Sequence, residues 1–308
     1  MLRGMPLGSH YRTLDQIRPV VCCRRGCTGC IVGHIGKTNY RKPPRLTSVT
    51  TGAQNVQYWN KRATGADDPV TATHRDRFQR HLELEQVIAN WPEYMPRVLD
   101  VGCGMGWTSD AIASLSSEVI AIDRSPEMIA GAKAAFGQSS NVRYEVGDIL
   151  SLPEDWSASF DLVLSQRCLI NLSGWKEQRI ALDEIARVLK PGGRLILQEG
   201  TKQGREALNK LRSHVGLPRM PEVVFNRDLD EDTLWPYLRL HFRVICEWRF
   251  SLYDLISRVV HPLLVVPEEP RYDSPINEVA ALLASKESGV RASQRIAREF
   301  SAVLERQL

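Results

Sequence analysis

The chain has 308 residues, 43% of them hydrophobic, 25% charged and 7% aromatic, which suits one large globular domain or two small ones and excludes a collagen-like, wholly disordered or small disulfide-stapled protein. The formal charge of +4 conceals an asymmetry: eleven Lys and Arg against Asp15 alone lie up to Arg62, and the rest of the chain carries a net −6. A nucleic-acid enzyme keeps its positive charge on the folded body, where it can track phosphates, so this distribution argues against a DNA or RNA substrate.

Residues 1–56 show no sustained period of 2 or 3.6 and are rich in Arg, Gly, Pro and Thr. They are expected to form a disordered basic tail. Three accounts of it stand side by side: translation that begins nearer Gln57, a functional basic tail, or an organellar-type presequence, which shares the richness in Arg and poverty in acid. From Gln57 onward one domain is expected. Asp76 to Trp91 reads as a helix, with Phe78, Leu82, Leu84, Val87 and Ile88 on one stripe and Pro92 closing it. Strands and helices then alternate: strand 97–101, helix 108–116, strand 119–122, helix 126–136 with proline in its first turn, strand 142–146, strand 160–165, helix 175–189, a Lys190-Pro191-Gly192-Gly193 stop, and strand 194–199. Short apolar strands alternating with helices predict a doubly wound, mostly parallel α/β sheet covered on both faces. Beyond Gly200 the pattern loosens: helices are expected at 205–214, 232–240 and 252–258, a strand at 242–250, and a closing strand at 300–306, where a helix also fits. The run Leu263 to Val266 spans four residues between prolines, and no stretch approaches the roughly 18 continuous apolar residues of a membrane span, so no membrane partner is expected.

The chemistry concentrates in Val98-Leu99-Asp100-Val101-Gly102-Cys103-Gly104-Met105-Gly106-Trp107-Thr108. A buried strand runs into a glycine-rich turn, and glycines let a ligand approach main-chain N–H groups without Cβ interference. Asp123 ends the next strand about 20 residues on, where a carboxylate can accept both hydroxyls of a ribose. Asp148 ends the third strand and can accept from an exocyclic adenine amine, while a neighbouring amide reaches a ring nitrogen. Taken singly, each acid could equally be a solvated turn or a helix cap. The glycines are spaced G-x-G-x-G, with bulky Trp107 where a dinucleotide fingerprint has its third glycine, which disfavours NAD; no G-x-x-x-x-G-K-[ST] is present for a nucleoside triphosphate.

The segments 99–106, 160–165 and 187–193, with Asp123 and Asp148, resemble the class I (seven-stranded, Rossmann-like) S-adenosylmethionine-dependent methyltransferases over roughly Gln57 to Glu199. The resemblance implies S-adenosylmethionine as cofactor, held by Asp100, Gly102, Cys103, Gly104, Gly106, Asp123, Arg124, Asp148, Ile149 and Ser165: the glycine loop and Asp100 around the methionine part, Asp123 on the ribose and Asp148 on the adenine. Segments 165–172, 199–200 with 208–212, and 257–262 look like a subgroup associated with saccharide and natural-product gene clusters, and the divergent region 200–299 is expected to build the acceptor side.

Methyl transfer is an in-line displacement, and a hydroxyl acceptor must lose its proton near the transition state. Glu199 is a candidate base or acceptor-orienting group, against a capping or internal ion-pair role. Arg167 is a candidate for an anionic substrate group, against an ion pair to a neighbouring helix. His261 is a candidate base, against a solvent-facing histidine. Tyr58 and Trp59 can pack over the cofactor or over the first helix. The segment after the fourth strand has no [DNS]-P-P-[YF] box and no Pro-Cys, and Cys168 reads as a small hydrophobe. Cys22, Cys23, Cys27 and Cys30 resemble in spacing the cluster motif of radical S-adenosylmethionine enzymes, but no strand-and-helix pattern surrounds them to shield a cluster, and metal ligation is not expected. Cys103, Cys168 and Cys246 read as unpaired, in keeping with a reducing, cytoplasmic compartment. The expected function is methyl transfer to a small-molecule or saccharide acceptor at oxygen. The rivals are a non-catalytic S-adenosylmethionine-binding accessory protein and a metal or radical enzyme using the cysteine cluster.

Overall fold

The computed structural model describes residues 52–221, 223, 225–286 and 296–307. Most of the expected tail, with Cys22, Cys23, Cys27 and Cys30, lies outside them. The stretch 52–56, read as tail, instead opens helix α1 (Gly52–Thr64), whose Asn55 and Ala63 are buried; it is held by tertiary contacts that a short, polar sequence does not advertise.

α2 (Arg77–Ala89) starts where the sequence places it, because the Asp76 carboxylate caps the Gln79 N–H at 3.2 Å. β1 (Arg97–Val101), β2 (Glu118–Asp123), β3 (Val142–Val146), β4 (Phe160–Gln166) and β5 (Leu189–Gly200) follow, interleaved with α3 (Trp107–Ala111), α4 (Pro126–Phe136) and α5 (Trp175–Val188). The expected helix 108–116 is shorter, breaking into a 3₁₀ turn at Ala113–Leu115. β5 is longer than expected: it already pairs at Leu189 with Phe160, and the Pro-Gly-Gly that reads as a stop is absorbed as a register shift within the strand. The C-terminal part adds α6 (Lys202–His214), α7 (Glu231–His241), β6 (Phe242–Arg249), α8 (Ser251–Leu255), α9 (His261–Val265), α10 (Pro275–Ser285) and β7 (Glu299–Arg306). The closing segment is therefore a strand, and α10 was not foreseen.

The sheet order is β3-β2-β1-β4-β5-β7-β6. β1 to β5 run parallel, and β7 is antiparallel to both β5 and β6. Alternate residues of β1 enter opposite cores: Leu99 packs with Ile120, Val163 and Leu182 on one face, Val98 with Val119, Leu162 and Ile129 on the other. Both faces are thus dry, which explains the nearly unbroken apolar strands. Between β1 and β4 the direction of winding reverses, opening a crevice at the carboxyl ends of the strands.

Candidate active site

In that crevice lies a cavity of about 340 Å³, within the range of small-molecule sites. The turn after β1 forms its floor. The Gly102 and Cys103 N–H groups both donate to the Ile122 carbonyl, at 2.8 and 3.0 Å, tying the loop to the neighbouring strand. Gly106 has φ +79°, and a Cβ there would stand 2.6 Å from Tyr144 and 3.0 Å from Ala132. Gly106→Ala is accordingly expected to cost roughly 2 kcal/mol or more, from left-handed strain plus overlap, read as a lower urea midpoint. Gly102 is similarly pressed, its φ +72° placing a hypothetical Cβ 2.7 Å from the Cys168 sulfur.

At the end of β2 the Asp123 carboxylate accepts from the Gly104 N–H through Oδ2 and from the Ser125 N–H through Oδ1, each at 2.9 Å. Each oxygen keeps a lone pair for a further donor. Burial raises Asp123 above the usual carboxylate range against these two donors. Asp100, deeper in, accepts from Ser109 Oγ at 2.6 Å, and burial pushes it up to about 6. The thiols of Cys103 and Cys168 are pushed up by burial and by nearby carboxylates, so neither is a nucleophile at neutral pH.

Of the cofactor residues expected from the sequence, Asp100, Gly102, Cys103, Asp123, Arg124 and Ile149 lie on the cavity wall. Gly104, Gly106, Asp148 and Ser165 do not. Asp148 pairs with Arg124 at 3.4 Å and accepts from the Leu150 N–H, and the wall beside it is Gly147 and Ile149. Ser165 is buried and donates to Glu199.

Two of the three catalytic candidates are corrected. Glu199 is fully buried and off the wall; its carboxylate accepts from the Leu169 N–H at 2.8 Å and the Ile170 N–H at 3.3 Å. The chain leaves β4 through a 3₁₀ turn, Leu169–Asn171, and the orphaned N–H groups of that turn need an acceptor, which the adjacent parallel strand supplies. Glu199 is a cap. His261 is neither at the cavity nor facing solvent: it is buried at the start of α9, its Nδ1 3.1 Å from Asn277 Oδ1, because α10 packs over it. Arg167 does reach the wall. Its backbone is left-handed, φ +50°, pinned by its N–H to the Gln198 carbonyl at 2.8 Å and by Asn171 Nδ2 donating to its own carbonyl at 2.6 Å. A non-glycine residue held in this region is a strained position of the kind found at working sites.

Tyr58 and Trp59, for which the sequence left two places open, stand on the wall, and other wall residues were not foreseen. Tyr58 and Trp59 of α1 meet edge to face with centroids 5.0 Å apart, and Tyr58 stacks on Phe225 at 4.3 Å; both line the cavity. The loop before α2 contributes Thr73, His74 and Arg75, and the entry to β7 contributes Arg298 and Glu299. Behind them runs a buried relay: Arg80 donates to Thr108 Oγ1 (3.2 Å), Thr108 to Gln166 Oε1 (2.7 Å), and Gln166 Nε2 to Gln198 Oε1 (2.6 Å). No periodicity marks His74, and Arg298 is legible only once β7 is known to pair with β5 beside the crevice.

His74 is half-buried and is held well below the usual histidine range, by burial and by the facing guanidiniums of Arg167, Arg298, Arg258 and Arg80. Asn55 and Asn171, also on the wall, each keep a buried side-chain oxygen with no partner. Carboxylates at the ends of β1 and β2, and these two unused acceptors, suit a ligand rich in hydroxyl, amine and ammonium donors. An adenosyl amino acid is such a ligand, and the residues present fit it.

A crevice at the β1/β4 reversal, floored by the glycine turn and flanked by Asp100 and Asp123, defines the class of fold: the seven-stranded, Rossmann-like sheet of the class I S-adenosylmethionine-dependent methyltransferases. Residues 98–193 match the family model described as "Methyltransferase domain". Among curated relatives, the ubiquinone biosynthesis O-methyltransferase of Xanthomonas oryzae pv. oryzae (strain PXO99A) is 34% identical over 142 residues, 46% of this chain and 55% of that one. The chain thus spans about half the length of the curated relatives it matches. Two solved structures share the fold: the [4+2]-cyclase SpnF, at TM-score 0.53 and 20% identity over 84% of this chain and 98% of that one, and the PH0226 protein of Pyrococcus horikoshii OT3, at TM-score 0.52 and 19% identity over 82% and 99%. Among the described residues no helix is long and apolar enough to cross a membrane.

Proposed function

We propose that this protein transfers a methyl group from S-adenosylmethionine to an oxygen of a small-molecule acceptor. The observation that carries this reading is the Asp123 carboxylate, tied to the glycine turn through the Gly104 N–H and presenting its remaining lone pairs to the cavity. The name of the curated relative favours oxygen as the acceptor atom. Among small acceptors, the subgroup resemblance of segments 165–172, 199–200 with 208–212, and 257–262 favours a saccharide or a hydroxylated natural product. Region 200–299 builds the acceptor side, and it supplies Val223, Asn226, Tyr272, Arg298 and Glu299 to the wall.

The bound cofactor would supply an electrophilic methyl carbon. Asp123 would hold the ribose hydroxyls, and the backbone of Gly102 and Cys103 with Asp100 the methionine end. Tyr58 and Trp59 exclude water from above. With Glu199 and His261 away from the cavity, His74 takes the role of proton acceptor. It lies on the wall, it is neutral at physiological pH, and the same guanidiniums that keep it neutral favour the oxyanion left when a hydroxyl gives up its proton.

Calorimetry with S-adenosylhomocysteine tests the cofactor assignment, and mass spectrometry after incubation with S-adenosylmethionine and a panel of phenols, catechols and saccharides, each with and without a carboxylate or phosphate group, tests turnover. No heat on folded protein overturns the reading; binding without turnover across the panel points to the accessory-protein rival. With an accepted substrate, His74→Asn is expected to lower kcat by about a hundredfold or more, leaving the affinity for S-adenosylhomocysteine within about twofold of wild type.

A further inference from the structure

The charge on the cavity wall is unequally matched. Arg62, Arg75, Arg80, Arg124, Arg167 and Arg298 line it, against Asp100, Asp123 and Glu299. Arg124 has Asp148 behind it. Around His74 the balance is poorer. One carboxylate, Glu83, serves both Arg80 (3.3 Å) and Arg167. Arg298 has Glu299 at 2.6 Å, a carboxyl that burial and the neighbouring Glu83 and Asp254 push upward. Arg258, which faces His74 from behind, is matched by Asp76 at 2.5 Å and lies near Asp254. Arg75 is exposed and has no ion pair among the described residues, and Arg62 donates only to the Thr71 and Ala72 carbonyls.

The consequence is visible in the groups themselves. Burial and Arg167 press the Arg80 guanidinium down to about 10, and the Nε atoms of Arg80 and Arg298 are buried without partners. The cofactor does not correct the imbalance: an S-adenosylmethionine carries a sulfonium and an ammonium against one carboxylate and so adds a further positive charge. The missing negative charge has to arrive with the other reactant.

Resting on the reading above, we propose that the acceptor is an anion, and that a carboxylate or phosphate on it is held by Arg167, Arg298 and Arg75 beside His74. Planar guanidiniums suit either group, which they grip in a bidentate fashion. A neutral phenol or an uncharged sugar would leave the guanidiniums uncompensated. Anchoring the anionic end fixes where the acceptor hydroxyl stands, and orientation of that kind is a large part of catalysis in a displacement of this type.

His74 reports on this site without any knowledge of the acceptor. Its ring titration is followed by NMR on selectively labelled full-length protein, free and saturated with S-adenosylhomocysteine, with added sodium benzoate in one arm and inorganic phosphate in the other. The exposed His81 and His214 are internal controls. At least one anion is expected to raise the His74 pKa by about one unit, with His81 and His214 unmoved, and the shift is expected to persist in the S-adenosylhomocysteine complex. The arm that responds identifies the anionic group. Arg298→Gln and Arg75→Gln are each expected to weaken the anion's effect by about threefold or more; Arg75 is exposed, so its variant keeps the fold. The proposal is overturned if neither anion moves His74, if all three histidines move together, if neither folded variant weakens the effect, or if S-adenosylhomocysteine abolishes it, since the arginines would then serve the cofactor's own carboxylate. Absence of heat with S-adenosylhomocysteine is a separate failure, that of the cofactor reading, and leaves the titration of the free protein interpretable.

Discussion

Asp123→Ala is expected to weaken S-adenosylhomocysteine binding by roughly a hundredfold, equivalent to about 3 kcal/mol. Two contributions add. The ribose hydroxyls would lose a charged acceptor inside a partly dry crevice, and such bonds are worth more than neutral ones. The Gly104 and Ser125 N–H groups, both now satisfied by this carboxylate at 2.9 Å, would be orphaned, loosening the glycine turn and the start of α4. Asp123→Asn separates the two effects. One amide oxygen can keep one of the backbone donors but brings no charge, so this variant should retain more of the fold's stability than of the affinity. Calorimetry gives the affinity and urea denaturation the stability. Wild-type affinity in Asp123→Ala would remove the ribose assignment.

The second large effect falls on a residue that chemistry alone nominates as a base. Glu199→Ala is expected to destabilise the fold by about 3 kcal/mol, because the Leu169 and Ile170 N–H groups and the Ser165 hydroxyl would all lose their acceptor in a dry interior. A base touching the acceptor would instead leave the urea midpoint in place and remove turnover. Protonation adds a test of sign. Burial raises Glu199 from 4.5 to about 8, with the two backbone donors and Arg167 pulling the other way. Between those values the folded chain holds a proton that the unfolded chain has released. The stability contributed by this titration is therefore complete below about 4.5 and is lost as the pH climbs through about 8. Glu199→Gln cannot titrate. The stability of wild type relative to Glu199→Gln should therefore fall between about pH 5 and pH 8.5, measured by urea midpoints at each end.

Glu199 also shows where reading along the chain fails. A carboxylate ending a strand beside the crevice has the position of a base, and only the pairing of β5 with β4 reveals that it is consumed by the turn leaving the neighbouring strand. His261 fails likewise: whether it meets solvent, the cavity or Asn277 depends on α10, a helix of small and apolar residues with nothing in its pattern to say what it covers. Asp100 and Asp123 do reach the cavity wall, because their placement is a local matter of strand length followed by a turn. Asp148 sits between the two cases. It does end the segment after β3, yet its side chain turns to Arg124, a choice made by the approach of a different strand end.

The periodicity of short apolar strands and helices was enough to dictate the α/β sheet, and the glycine spacing the turn after β1, since each is written in neighbours a few positions apart in the chain, whereas the class of cofactor followed from the resemblance to a known family. The gathering of His74, Arg167 and Arg298 on one cavity wall was settled by folding alone. His74 precedes α2, Arg167 follows β4 and Arg298 enters β7, and they are brought together by the insertion of β7 antiparallel between β5 and β6 and by the packing of the loop before α2 across the strand ends. Charges so far apart along the chain leave no periodic trace, and their field acts on one imidazole only when the sheet has closed around it.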